Sequence, residues 1–176
     1  MKTDWASTKV YNVSLNGITD PWEIINKIKQ LNVKSYTYEI RHKNTTIKYG
    51  MSDATTTQPG ERIYRQIGHL DSFKNKKLVG QNGSEFLEIN KKYKRKYGID
   101  IDHNDVTITV WSFDNYNFRT IDTVKEIIDA ETELIETYKS QYGELAIGNI
   151  DDNKLWRRKA APRKDVFETI FNWGSV

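Results

Sequence analysis

Two β-rich runs, Tyr36–Arg41 and Thr45–Ser52, flank the polar stretch His42–Asn44. Aromatic and β-branched residues bounded by turn formers in this way predict a β-hairpin. Everything downstream must be arranged around it. Asp20-Pro21 marks a helix start, with Asp as N-cap and Pro at the first helical position. Trp22, Ile25, Ile28 and Leu31 continue it at helical spacing. Asp53–Gln58 is a polar loop, after which Pro59 opens a helix through about Ile67. Gly83-Ser84 caps the next, Glu85–Tyr97, which Gly98 closes. Val106–Trp111 reads as a strand, Lys9–Leu15 as a short, weakly alternating one. Ile121–Tyr142 reads as a long helix ending at Gly143. The order hairpin, helix, helix, strand, helix predicts an α+β (α/β) fold: a small, mainly antiparallel, three-stranded sheet flanked by helices.

The 176 residues suit one domain, or one core domain with an extension. Cysteine is absent, which excludes a disulfide framework, a cysteine-ligated zinc site and a thiol nucleophile. Three scattered histidines offer no zinc site either. Aromatics at 12% are too many for a disordered chain. No apolar run approaches the length of a membrane span, and Met1–Asn12 lacks the apolar stretch of a signal peptide. The expectation is a soluble protein of the cytoplasm with no membrane partner.

The net charge of +3 hides a segregation along the chain. From Lys74 to Lys96 eight cations, including Lys91, Lys92 and Arg95, stand against two carboxylates. From Ile99 to Asn153 thirteen carboxylates stand against three cations. Lys154 to Lys164 then adds six cations, among them Arg157, Arg158 and Lys159. Such blocks are commonly solvated faces. Two of them, interleaved with Tyr93, Tyr97 and Trp156, shift weight toward a polyanion partner.

Two helices carry the chemical signal. At 100° per residue the long helix would bury Ile121, Val124, Ile128, Ile135, Tyr138 and Tyr142 on one face, while Glu126 and Glu133 point the other way. Glu131 falls in the middle of the apolar stripe. A carboxylate there is costly unless it is paired or holds a metal, and both readings are open. On the Pro59 helix Arg62, Arg65, Gln66 and His69 recur as one polar stripe. It is either a solvated basic face or a set of donors for phosphate oxygens, to which the planar Arg fork is suited.

Tyr36-Thr37-Tyr38-Glu39-Ile40-Arg41, Ile47-Lys48-Tyr49-Gly50, Glu61-Arg62-Ile63-Tyr64-Arg65 and the segment Glu131–Tyr138 together resemble the GIY-YIG nuclease superfamily. Its intron-homing and excision-repair members carry two tyrosine motifs on a hairpin, an arginine on the next helix and a metal-binding glutamate on a later one. The resemblance covers roughly Ser35 to Asp151, and Gly83–Gly98 looks like the middle helix of the homing enzymes.

The resemblance implies a role for each matching residue. Tyr38 would lie near the nucleophilic water, and Gly50 would let backbone approach the site closely. Arg62 would contact the scissile phosphate. Glu131 would be the sole protein ligand of one magnesium (or manganese) ion, and Asn149 would orient neighbouring groups. Tyr36 and Thr37 depart from the family's Gly and Ile, and Lys48 stands where the second motif usually has its tyrosine. Gln66 occupies a position where some members carry a histidine. The general base is open among Tyr38, Lys48, Tyr64 and His69.

The implied function is magnesium-dependent hydrolysis of DNA phosphodiesters through a single-metal site, with catalytic Tyr38, Lys48, Arg62, Glu131 and Asn149. DNA-contacting residues would be Arg65, His69, Lys91, Lys92, Arg95, Arg157, Arg158 and Lys159. Compact nucleases of this kind often belong to phages or mobile elements, so the compartment would include a host cytoplasm. A catalytically degenerate DNA-binding relative is the alternative, and a small protein docking an acidic partner a third reading. The expected organisation is an N-terminal extension over 1–34 packed on the core, a nuclease domain over 35–152 and a basic, aromatic tail over 153–176. Symmetric double-strand cutting by single-site protomers would need a homodimer.

Overall fold

The predicted hairpin forms and sits inside a larger sheet. The structure, a computed structural model, describes residues 3–52, 58–76, 83–113 and 121–149. Most of the predicted polar loop and the whole basic tail with Arg157, Arg158 and Lys159 lie outside the described residues. Strand β2 (Tyr36–His42) pairs antiparallel with β3 (Thr45–Ser52), from Tyr36 opposite Ser52 to His42 opposite Thr45. Lys43, at φ 53°, makes the turn. The register shifts between Ile40 and Arg41.

The sheet has four strands, not three. Strand β4 (Val106–Ser112) pairs with the other side of β2, and β1 (Lys9–Ser14) pairs with β4, giving the order β1-β4-β2-β3, all antiparallel. In β4 every second residue is buried, the alternation that makes a strand legible. In β1 only Val13 is buried. An edge strand so lightly covered leaves little pattern in its sequence, although β4 offers it a full antiparallel ladder.

Period-2 alternation sends successive β2 side chains to opposite faces. Tyr36, Tyr38 and Ile40 join Ile108 and Val110 of β4 on one face. This face is covered by α1 (Glu23–Lys29), α2 (Glu61–Ile67) and α3 (Gly83–Tyr97), through residues such as Ile24, Ile28, Ile63, Ile67, Phe86 and Ile89. Val13, Leu15, Ile18 and Val33 belong to that same core, so the segment 13–33 shares it. The other face takes α4 (Ile121–Tyr142), whose Ile127 and Ala130 cluster with Met51 and whose Ile135 meets Tyr49.

Helix boundaries move where local chemistry demands it. Asp20 accepts from the Trp22 and Glu23 amides, so Pro21-Trp22 form a turn and α1 starts at Glu23. Gly60 is left-handed (φ 83°), which delays α2 from Pro59 to Glu61. On α4 the buried face runs through Val124, Ile127, Ala130 and Ile135, one residue round from the expected stripe: Ile128 and Tyr138 are half-buried and Tyr142 is exposed. Glu133 is not turned to solvent. It accepts from the Thr3 amide (2.8 Å) and the Trp5 indole (3.0 Å), tying the N-terminal segment to α4. No helix among the described residues is long and apolar enough to cross a membrane.

Candidate active site

Three consecutive residues of the edge strand β3 each receive one of the candidate residues. Asn149 brackets the backbone of Tyr49: its Oδ1 accepts from the Tyr49 N–H (3.0 Å) and its Nδ2 donates to the Tyr49 carbonyl (3.0 Å). With Gly148 N–H on the Ile47 carbonyl (2.8 Å), the segment after α4 runs along the outer edge of β3. Gly50 lies opposite Tyr38 in the ladder. A Cβ on Gly50 would stand 2.3 Å from Tyr38 Cζ, so the phenol ring lies directly over the glycine backbone. Arg62 Nη1 donates to the Met51 carbonyl (3.1 Å) and touches its sulfur.

Glu131 reaches the same level from the opposite face. It follows Ile127 by one turn and precedes Ile135 by one turn. Since those two pack with Met51 and Tyr49 respectively, Glu131 stands level with Gly50 between them. The missing side chain at Gly50 has a physical consequence here. It lets the Tyr38 ring lie over the edge strand, with its hydroxyl above Gly50 on the α2 side.

Electrostatics tie these groups together. Burial holds the Tyr38 hydroxyl well above the ordinary phenol range, Tyr36 and the Glu131 carboxylate push it the same way, and the Arg62 guanidinium opposes them. Burial thus favours the neutral phenol. It donates to Gln66 Oε1 (3.3 Å), one turn beyond Arg62 on α2. Arg62 and Gln66 thus face the site together, with the exposed Arg62 guanidinium at its rim.

The other expected residues divide. Lys48 is half-buried and shares Gly50's side of the strand, with its Cβ against Gly148. Arg65 turns away, exposed, and pairs with Glu61 (2.5 Å). His69 corrects the predicted stripe: α2 stops at Ile67, and His69 is 6% exposed, so it is not a surface donor for a nucleic acid. Tyr64 stacks edge-on against Trp22 (5.4 Å). Lys91, Lys92 and Arg95 are exposed on α3, with Lys91 paired to Glu88 (2.7 Å).

The sequence reading missed Ser52, Gly60 and Tyr36 as supports. Tyr36 accepts from the Gly60 amide (2.9 Å) through its hydroxyl, which Ser52 also engages. A Cβ at Gly60 would meet Ile28 at 2.9 Å. These contacts fix where α2 begins and so where Arg62 points. The signal available in the sequence was the Pro59-Gly60 pair alone.

Glu131 is 4% exposed and is the only candidate metal ligand in this group. No cluster of three or more His, Cys, Asp or Glu side chains exists among the described residues. A single carboxylate suits a hard cation that takes its other ligands from water and phosphate oxygens, as magnesium does, and no thiolate-preferring metal. No family model matches the chain, nor does any curated protein or solved structure.

Proposed function

We propose that the chain is a divalent-metal-dependent endonuclease of the GIY-YIG type that hydrolyses DNA phosphodiester bonds at the Gly50 site. The observation that carries this reading is that Tyr38, Arg62 and Asn149 meet residues 49 to 51 of one edge strand, with Glu131 of α4 acting electrostatically on Tyr38. A cation held by Glu131 would supply Lewis acidity at the phosphate. The remaining work falls to the chain itself. Arg62, anchored through one N–H on Met51, has further N–H groups to offer the non-bridging oxygens as charge develops there. Tyr38, whose one O–H goes to Gln66, can accept a hydrogen bond that orients a water. Lys48, half-buried on Gly50's side of β3, is one of the expected bases.

Plasmid nicking tests this reading. Wild-type protein should cut with Mg²⁺ and not with EDTA, and Glu131→Gln, which keeps the shape of the side chain, should lose cleavage by at least about 100-fold. Equal cutting by all three, or none with any divalent ion, would overturn it. The second reading, a nucleic-acid-binding protein without hydrolytic activity, is favoured by one observation. The side chain facing the Tyr38 hydroxyl is Gln66, which cannot accept a proton. Salt-dependent DNA binding with no metal-dependent nicking would decide for it.

A further inference from the structure

The two edges of the sheet are finished differently. Along β3 the chain itself meets the outward-facing groups, through Asn149 at Tyr49, Gly148 at Ile47 and Arg62 at Met51. Along β1, the opposite edge, no backbone among the described residues does so. The Leu15 amide donates to the Val106 carbonyl (3.0 Å), which lies directly opposite when the β1–β4 register is continued. Bonded and non-bonded pairs alternate along an antiparallel ladder. Lys9, Tyr11 and Val13 therefore bond to β4 as Leu15 does, and Val10, Asn12 and Ser14 turn their N–H and C=O groups outward. All three residues are exposed, Val10 at 53%.

Solvent-facing edges are ordinarily blunted by proline, a bulge or several charges. Lys9–Ser14 has no proline, keeps an unbroken register against β4 and carries a single charge, Lys9, at its end. The segment before it turns inward, with Trp5 edge-on to Trp111 at 5.8 Å, and leaves the edge open. The strand also complements its own inverted copy. With a two-fold axis at Asn12, Val10 opposes Ser14 of the second copy and Asn12 opposes Asn12, so every outward N–H and C=O has a partner. An axis at Tyr11 or Val13 would leave Ser14 or Val10 without one in the strand. Tyr11 then meets Val13 of the copy, an aromatic–β-branched cross-strand pair, and Lys9 meets Leu15, so no like charges face each other. The Thr109 hydroxyl donates to Asn12 Oδ1 (2.8 Å), which orients the amide with Nδ2 left to donate to Asn12 of the copy.

We propose that β1 is a homodimer interface: two copies of the chain join edge to edge about Asn12 and form one eight-stranded antiparallel sheet from their two four-stranded ones. A strand from another protein would find the same backbone groups, but its side chains would have to match a row that the inverted copy already matches. The β3 edges, with their Gly50 sites, stay at the two outer ends of the joined sheet. The interface therefore does not depend on whether the chain hydrolyses DNA.

Sedimentation velocity of the full chain, over a concentration series up to about 0.1 mM, should show a dimer. Asn12→Lys and Asn12→Asp each set like charges opposite one another and should weaken the dimer by at least about tenfold. Mixed together, the two variants should dimerise again, because opposite charges then face each other, and that rescue shows both are folded. The chain has no cysteine, so Asn12→Cys provides one thiol per protomer. Directly opposed bonded residues lie about 5.5 Å apart at Cα, within disulfide reach, so this variant should cross-link on oxidation. Val10→Cys should not, since its two copies stand four residues apart along the strands, about 13 Å. A monomer at the highest concentration overturns the proposal. So does a dimer that Asn12→Lys leaves intact, or cross-linking by Val10→Cys and not by Asn12→Cys.

Discussion

Gly50 is the residue on which the site turns. Its backbone supports the Tyr38 ring at a distance no Cβ tolerates. Gly50→Ala should therefore cost about 1–3 kcal/mol of overpacking strain, read by urea denaturation. In a Tyr38→Leu background the penalty should shrink, because the two residues are coupled through that contact. Equal penalties in both backgrounds would show that the ring does not lie where the structure has it. His42 offers a pH test at the same scale. It is buried, its Nε2 accepts from the Asp102 amide (3.3 Å), and its Nδ1 faces the Tyr93 hydroxyl (2.9 Å). Burial lowers its pKa below the ordinary 6.5, against the pull of Asp105. As pH falls through 6.5 the unfolded chain takes up a proton that the folded chain refuses, so stability drops. Unfolding free energy measured from pH 7.5 to 5.5 should decline in the wild type and flatten over that range in His42→Gln. Of the site residues, Glu131 was legible because a lone carboxylate breaks an apolar stripe. Gly60 and Ser52 were not, because what they do depends on Tyr36 more than fifteen residues before Ser52 in the ladder.

At the scale of elements, β3 is an edge strand repaired by side chains instead of by another strand. Asn149 closes the Tyr49 position and Gly148 the Ile47 position. An edge left open there would fray first. Asn149→Ala should destabilise the fold by about 1–3 kcal/mol. It should also speed hydrogen exchange at the Tyr49 amide well beyond any change at β4 amides, as two-dimensional NMR would record. Uniform acceleration would mean that Asn149 supports the fold globally and not this edge. Strand and helix types were legible from hydrophobic period and from Gly and Pro punctuation. The strand at Lys9–Leu15 was legible but its place as a fourth member of the sheet was not, since β1 is one residue deep in the core and its partner β4 lies about a hundred residues away in sequence. The polar stripe on α2 failed at His69 because Gly68 ends the helix and the chain turns inward. The rotated face of α4 shows the limit of an ideal wheel, which fixes neither the partner strand nor the angle of packing.

At the scale of the molecule, a nearly balanced charge is divided between helices. The cations of α3 lie in the layer with α2, while α4 carries carboxylates across the sheet, among them the buried Glu131 and the tethering Glu133. The candidate site lies at the edge where those two layers meet. A substrate phosphate would thus approach along the cationic side and meet the carboxylate helix only at Glu131. The most direct test of that arrangement is single-turnover cleavage of a labelled DNA with Mg²⁺ by wild type, Arg62→Ala, Glu131→Gln and the double variant. Groups that act as one unit are strongly non-additive. Each single variant should lose at least about 100-fold in rate, and the double variant should be no slower than the poorer single. Losses that multiply in the double variant, or wild-type rates in either single, would contradict a shared site at Gly50.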